Sequence, residues 1–342
     1  MMKIKEEVVH KTRLSNYELL RIVAMLLVMF GHSLLRLHLY YGSDIPLMAF
    51  IQSLSACVST MGVGIYIAIS GWFGIRFKVK GLLQYLFQVL FTLWAVYGLF
   101  IALNVTTFNA EGIKTSLGLF DGYWFIIGYL GLYLISPILN TFIEDASKKE
   151  YQLVMFLMII FQCCYSWITA WFDYYNGYSI ILFAIIYLTA AYFRKYPVAW
   201  IEKYAPWLFA MIVLVMALVA TSSLTMFGHS ARMVRDDNPL VIIACILLLL
   251  CFKKIHFQNR VINWLAASCF SVYLIHYNPY VFPYFMSGMK YVYDEYTGLV
   301  YCGTFVIALC AVYLICTLFD QLRVLAWHGV MVIYNKTNSK LC

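Results

Sequence analysis

The feature that most constrains this chain is the recurrence of apolar segments long enough to cross a bilayer. A helix that spans the hydrocarbon core needs about 20 mostly apolar residues. By that measure the sequence contains ten candidate spans, at residues 16–38, 47–73, 82–105, 122–142, 151–171, 178–194, 206–224, 239–252, 262–286 and 297–320. No hydrophilic block between them is long enough to fold alone. The pattern predicts an all-α, polytopic transmembrane helical bundle that forms one domain, residues 1–342.

Composition excludes an ordinary soluble enzyme. Hydrophobic residues make up 63% of the chain and charged residues 12%, whereas charged residues form about a quarter of a soluble globular protein. The net charge of +8 is divided among many short loops, so it does not form the single basic patch typical of a nucleic-acid-binding protein. We therefore expect membrane lipid, and no nucleic acid, among the partners of the chain.

The distribution of basic residues predicts an orientation. With the N-terminus inside, 18 of the 24 lysines and arginines fall on the cytoplasmic side and 5 on the opposite side, and Arg21 lies within the first span. Loops rich in lysine and arginine face the cytoplasm. We therefore expect both termini in the cytoplasm, with a charged lead-in at 1–15 and a tail at 321–342.

The first span carries three polar residues that are costly to place in lipid: Glu18, Arg21 and His32. Arg21 and His32 are eleven residues apart, close to three helical turns, so they share one face at an axial separation of about 16 Å. Glu18 lies three residues before Arg21, a spacing that allows an ion pair on the helix surface. Ionisable residues inside a membrane usually face the bundle interior and mark a functional pathway.

The chemistry of this stripe suits two functions. Histidine accepts and returns a proton near neutral pH, so His32 could activate a hydroxyl for attack on an activated carbonyl. Arginine binds phosphate groups, so Arg21 could hold an anionic donor at the cytoplasmic end. This combination fits acyl transfer from a coenzyme A thioester to an acceptor arriving from the other side. It fits a proton-coupled transporter as well.

A second candidate group lies at the cytoplasmic end of the second span. Ser70 and Gly71 interrupt an apolar helix, and Arg76, Lys78 and Lys80 follow. Small residues allow helices to pack closely, and basic residues are ordinary in cytoplasmic loops. The alternative is that all five residues form the mouth for an anionic cofactor.

Five further residues are candidates for substrate binding. Trp124 opens the fourth span, where an interfacial aromatic belt is the ordinary interpretation. His276 is a second intramembrane histidine, with Tyr273 nearby. Arg232 and Arg235 lie in an outer polar loop, which is either simply hydrated or in contact with a polar acceptor.

Four motifs in order resemble acyltransferase family 3, whose members include bacterial O-acetyltransferases of surface polysaccharides. They are ELLRIVAMLLVMFGH, IYIAISGWF, YWFIIGYLGLYLISP and FSVYLIHYNP. The resemblance implies ten core helices, an acyl-CoA donor at the cytoplasmic face, and an essential arginine and histidine at Arg21 and His32. The family's basic positions map loosely onto Arg76, Lys78 and Lys80, where one arginine and two lysines replace a paired-arginine motif.

We therefore expect a membrane O-acyltransferase in a bacterial inner membrane. It would use acetyl-CoA or another acyl-CoA, without a metal, and a glycan or lipid-linked saccharide acceptor. His32 would serve as general base or transient acyl carrier, Arg21 would orient the donor, and Glu18 would fix Arg21. The alternative is a proton-coupled transporter or flippase of glycan precursors, with His32 and His276 as proton relays. The internal repeat common in such transporters is not evident in the sequence.

Overall fold

The computed structural model describes residues 13–36, 46–119, 121–165, 179–227 and 233–338. Within these ranges the regular structure is entirely helical. The helices are α1 (Ser15–Arg36), α2 (Pro46–Phe73), α3 (Val79–Ala102), α4 (Ala110–Ser116), α5 (Trp124–Asp145), α6 (Lys148–Met158), α7 (Ile180–Lys195), α8 (Ala199–Phe227), α9 (Pro239–Lys253), α10 (Arg260–Ala267), α11 (Cys269–His276), α12 (Phe282–Glu295) and α13 (Gly298–Asn338). A short 3₁₀ turn precedes α5, and a π-helical segment, Ile159–Tyr165, continues α6.

In the part of the chain that the structure describes, five helical stretches are long and apolar enough to cross a membrane, so the chain is a multi-pass integral membrane protein. They are Leu47–Phe73, Val79–Ala102, Trp124–Asp145, Ala199–Met226 and Gly298–Tyr334, and Pro239–Lys253 is a shorter apolar helix. Large apolar side chains on α8 and α13, such as Trp207 and Ile307, are mostly exposed, as expected of surfaces that face lipid. The count of ten spans and the cytoplasmic location of both termini stay predictions.

Helix α2 lies at the centre of the bundle and packs against α1, α7, α8 and α9. Glycines make this close packing possible. A Cβ atom on Gly62 would collide with the Val28 side chain and the Ala24 carbonyl of α1, and one on Gly71 would collide with the backbone of Tyr187 in α7. Gly62 therefore allows α1 to approach α2 closely, and Gly71 allows α7 to do the same further along α2.

The prediction of a continuous ninth span at residues 262–286 is wrong. The chain forms α10, breaks at Ser268, forms α11 and turns over residues 277–281 before α12. The side-chain oxygen of Asn278 accepts a hydrogen bond from the Tyr280 amide, at 3.0 Å, which stabilises the turn. Pro279 lies within this turn. His276 is thereby the last residue of a short helix that packs against α1, α3 and α13.

The last helix is longer than the sequence indicated. We expected a span at 297–320 followed by a tail, but α13 continues to Asn338. The charges at Asp320 and Arg323 do not end the helix because the two side chains pair with each other and are buried. Residues 321–338 are therefore the continuation of a helix.

Candidate functional site

The fold brings together the two histidines that the sequence placed in separate spans. His32 of α1 and His276 of α11 are 244 residues apart, and Nδ1 of His32 lies 2.9 Å from Nε2 of His276. This is hydrogen-bonding distance. His276 is fully buried, whereas His32 is partly exposed. The pair therefore has one member that can meet a substrate and one enclosed by protein.

Both rings are held from several sides. Nδ1 of His276 lies 2.7 Å from the carbonyl oxygen of Val272, one turn earlier in α11. His32 stacks on Tyr277, with ring centroids 4.1 Å apart and planes inclined by 25°. Phe285 of α12 contacts the His276 ring edge-on at 5.6 Å. Aromatic packing and hydrogen bonds thus fix the orientation of the pair.

His32 lines a small cavity that follows the face of α1 identified from the sequence. Met25, Val28 and His32 contribute from α1, and the spacing of four, three and four residues from Arg21 keeps all four positions on one face. The remaining lining residues are mostly aromatic: Val63, Tyr66, Trp124, Phe125, Phe270 and Tyr273. Trp124 and Tyr273, two of the substrate-binding candidates, therefore share the cavity with His32.

Arg21 is only partly engaged by its ion pair. Its Nη1 lies 3.0 Å and 3.1 Å from the two carboxylate oxygens of Glu18. Its Nε and Nη2 make no hydrogen bond within the described part of the chain. The Arg21 side chain is 34% exposed, and that of Glu18 is 8% exposed. Guanidinium presents five N–H donors in a planar fork, so most of its capacity to bind an anion remains available.

Tyr66 is a polar lining residue that the sequence analysis missed. Its hydroxyl is buried and makes no hydrogen bond of ordinary geometry with the residues that the structure describes. It lies close enough to Arg21 and the thiol of Cys269 to interact with both. A buried hydroxyl that lacks a well-formed hydrogen bond is costly, so this atom is a candidate contact for a ligand. The sequence did offer one indication of Tyr66: it lies one helical turn before the candidate residue Ser70, in the same motif, IYIAISGWF.

Ser70 and Gly71 have ordinary structural roles. The Ser70 hydroxyl donates to the Tyr66 carbonyl at 3.0 Å and lies 3.3 Å from the Tyr129 hydroxyl. Gly71 lies against the backbone of Tyr187. These contacts favour helix packing over cofactor binding for Gly71, while Ser70 borders the aromatic residues near Arg21.

The segment after α2 presents Arg76, Lys78 and Lys80 as exposed cations. In the part of the chain that the structure describes, none of the three forms an ion pair, in contrast to Lys253 and Lys290. Lysine and arginine side chains without a protein partner can attract an anionic ligand.

The backbone of this segment is tied to two neighbouring helices. The Ile75 amide donates to the Tyr187 hydroxyl at 2.8 Å, and Asn140 of α5 donates to the Ile75 carbonyl at 2.7 Å. The Tyr133 hydroxyl accepts from the Lys78 amide at 3.1 Å and lies 2.9 Å from its carbonyl. The three cations are therefore carried on a backbone of fixed position.

Residues 233–238, the described part of the loop before α9 that we expected on the outer side, are held in place by polar contacts. Nε and Nη2 of Arg235 each lie 2.9 Å from a carboxylate oxygen of Asp237, and both residues are buried. The Thr60 hydroxyl of α2 donates to the carbonyl of Val234 at 3.1 Å. This bidentate pair favours loop anchoring over acceptor binding for Arg235. Arg232 lies outside the described residues.

A family model described as an acyltransferase domain matches residues 14–319. The match includes α1, the basic segment, the aromatic cavity and α11, and ends just before the buried pair of α13. Comparisons with curated proteins and with solved structures gave no significant match.

Proposed function

The chain belongs to acyltransferase family 3, and we propose that it transfers an acyl group, most simply acetyl, from acyl-CoA to a glycan hydroxyl. The donor would bind from the cytoplasm, and the acceptor, a surface glycan or its lipid-linked precursor, would enter from the other side of a bacterial inner membrane. The observation that carries this proposal is the aromatic cavity lined by His32, Val28 and Met25 of α1, on the helix face that also carries Arg21 one turn before Met25.

The proposed binding site for the acyl-CoA donor consists of cationic side chains that keep N–H donors available and of the Tyr66 hydroxyl. Arg21 keeps donors beyond its ion pair with Glu18, and Arg76 and Lys78 are exposed on a fixed segment. Guanidinium and ammonium groups bind the phosphates of a nucleotide-containing donor. The Tyr66 hydroxyl supplies a hydrogen bond to the amide-containing arm that joins those phosphates to the thioester. The thioester would then lie further along the cavity, toward His32.

At the other end, His32 acts as the general base. Its imidazole takes the proton of the acceptor hydroxyl while the oxygen attacks the thioester carbonyl. The new C–O bond forms and the C–S bond breaks. The departing thiolate receives the proton from the imidazolium, which releases neutral coenzyme A thiol and restores His32. No group other than donor, acceptor and histidine is needed to balance this step.

The aromatic lining supports transfer over hydrolysis. Trp124, Phe125 and Phe270 surround the cavity and leave few polar groups to hold water. Exclusion of water protects a reactive acyl donor and strengthens electrostatic interactions near the reacting atoms. An acceptor hydroxyl that reaches His32 thus competes with little water.

The test is mass analysis of surface glycans from cells that carry His32→Ala, at matched protein level. We expect acylation to fall by about 100-fold or more, because general-base catalysis contributes about 10²- to 10⁴-fold. His256→Ala is the matched control, since His256 is exposed and lies in the loop between α9 and α10. Unchanged acylation in His32→Ala would contradict the proposed role.

A binding measurement separates this function from transport. We expect the purified His32→Ala protein to bind acetyl-CoA as the wild type does, because the donor contacts lie at the Arg21 end. If folded wild-type protein binds no acetyl-CoA or other short acyl-CoA, the acyltransferase proposal fails and the proton-coupled transporter becomes the better explanation.

A further inference from the structure

We propose that His276 is a positioning residue that holds His32 in one of its two neutral forms, with the proton on Nδ1 and the basic lone pair on Nε2. This inference deepens the proposed function and rests on it for its catalytic meaning. It starts from the two measured contacts of His276, to the Val272 carbonyl and to His32. The sequence analysis considered His276 for substrate binding, but the side chain is fully buried, so it acts through another group.

The first step assigns the proton on His276. Nδ1 lies 2.7 Å from the Val272 carbonyl oxygen. A carbonyl oxygen can only accept, so Nδ1 must carry the hydrogen. In a neutral imidazole one ring nitrogen donates and the other accepts. Nε2 of His276 is therefore the bare, accepting nitrogen.

The second step carries this assignment to His32. Nε2 of His276 accepts at 2.9 Å from Nδ1 of His32, so Nδ1 of His32 must be the donor. The other nitrogen of His32, Nε2, then carries the lone pair. In this form Nε2 is the nitrogen that can take the proton of an acceptor hydroxyl. A backbone carbonyl in α11 thus determines, through His276, which nitrogen of His32 is basic.

The surroundings of His276 favour its neutral form. Its ring contacts among the described residues are His32, Tyr273, Tyr277 and Phe285. None of these side chains is a carboxylate, so no negative charge there compensates a buried positive charge. His276 keeps its own proton throughout, and it accepts a stronger hydrogen bond when His32 becomes an imidazolium.

A purely structural role for His276 makes a different prediction. Stacking on Tyr277 also orients the His32 ring, but stacking cannot distinguish Nδ1 from Nε2. If His276 only fills space, any residue of similar volume will serve. If it fixes the tautomer, the essential property is an acceptor at the position of Nε2.

Two amide variants separate these properties. Glutamine places an amide oxygen near the position of Nε2, so His276→Gln keeps the acceptor for His32. Asparagine places its amide near Nδ1, so His276→Asn keeps the bond to Val272 but does not reach His32. We expect kcat to stay within about 10-fold of wild type for His276→Gln and to fall about 100-fold for His276→Asn. The KM for acetyl-CoA should change little in either variant.

Met289→Leu is the packing control, because Met289 is buried in α12, one turn after Phe285, and is not among the ring contacts of His276 given above. We expect its kcat to stay close to that of the wild type. If His276→Asn retains wild-type kcat, or if His276→Gln and His276→Asn lose kcat equally while both bind acetyl-CoA, the positioning role is overturned.

A spectroscopic measurement on the wild-type protein reports the tautomer directly. The ¹⁵N spectrum of histidine-labelled protein separates protonated from bare ring nitrogens. We expect His32, assigned by the signal missing from His32→Gln, to be protonated at Nδ1 and bare at Nε2. A His32 protonated at Nε2 would overturn the inference. If instead His32→Ala leaves acylation unchanged while the tautomer is as expected, the proposed function fails and the tautomer assignment stands.

Discussion

Two acid–arginine pairs in this chain have the same sequence spacing and opposite environments. Glu18 and Arg21 lie three residues apart in α1, and Asp320 and Arg323 lie three residues apart in α13. Nε and Nη2 of Arg323 lie 2.6 Å and 2.8 Å from the two Asp320 oxygens. Arg21 uses a single nitrogen.

The two arginines also differ in how much of their side chain is exposed to solvent. The Arg323 and Asp320 side chains are 8% and 0% exposed, whereas that of Arg21 is 34% exposed. A bidentate pair that is closed to solvent stabilises a helix interface and has little capacity for a ligand. A pair that engages one nitrogen of a partly exposed arginine orients the guanidinium and leaves donors for an anion. The comparison teaches that engagement of the guanidinium, rather than spacing, separates a structural arginine from a ligand-facing one.

The largest effect expected from this comparison is on stability. Asp320→Asn should lower the free energy of unfolding by about 3–5 kcal/mol, because it leaves the buried Arg323 charge without its partner. Thermal unfolding in detergent measures the loss, and Glu18→Gln is the matched control, with an expected loss below about 1 kcal/mol. Equal losses in the two variants would remove the distinction between the pairs.

The next effect is on donor binding. Arg21→Gln should lower kcat/KM for acyl-CoA roughly 10- to 100-fold, because hydrogen bonds to charged groups contribute about 1.5–3 kcal/mol. The unfolding midpoint should stay near that of the wild type. Arg323→Gln is expected to do the reverse, with lower stability and little change in donor binding by the folded fraction. A stability loss in Arg21→Gln as large as that in Arg323→Gln would contradict a ligand-facing role.

A smaller effect is expected from the carboxylate that orients Arg21. Glu18→Gln keeps the shape of the side chain and removes its charge. The Arg21 side chain should therefore become less ordered while it stays on the same face of α1. We expect the KM for acyl-CoA to rise about 5-fold, which corresponds to about 1 kcal/mol. Steady-state kinetics with acetyl-CoA measures this KM. A lower KM in the variant than in the wild type would show that Glu18 opposes donor binding instead of orienting Arg21.

The smallest effect is expected at the exposed segment after α2. Lys78→Gln should weaken acyl-CoA binding about 2- to 3-fold at low ionic strength, and the difference should shrink as salt is added, because exposed charges are screened. Lys290→Gln is a suitable control, since Lys290 is paired with Asp294 on α12. A salt-independent loss in Lys78→Gln would indicate a close contact in place of long-range attraction.

Periodicity within one helix was readable from the sequence. The stripe from Arg21 through Met25 and Val28 to His32 follows from 3.6 residues per turn, and the structure lines the cavity with three of its members. The family also followed from ordered local motifs, and the domain match confirms it.

Contacts between distant helices were not readable in this way. Helix α11 ends at His276 because of the turn around Asn278, and that break aims the imidazole at His32. The sequence analysis missed the Tyr66 hydroxyl for a related reason, because whether a hydroxyl has a partner depends on neighbours from other helices.

The sequence by itself determined the membrane class, the family and the face of α1 that carries Arg21 and His32, because hydropathy and helical period are properties of local segments. Only the tertiary structure decided which polar groups meet. It placed His32 within hydrogen-bonding distance of His276 and paired the guanidinium groups of Arg235 and Arg323 with buried aspartates. It left the guanidinium of Arg21 partly exposed, with one nitrogen bound to Glu18. The physical reason is that the partners of a buried polar group are set by packing between helices far apart in the chain.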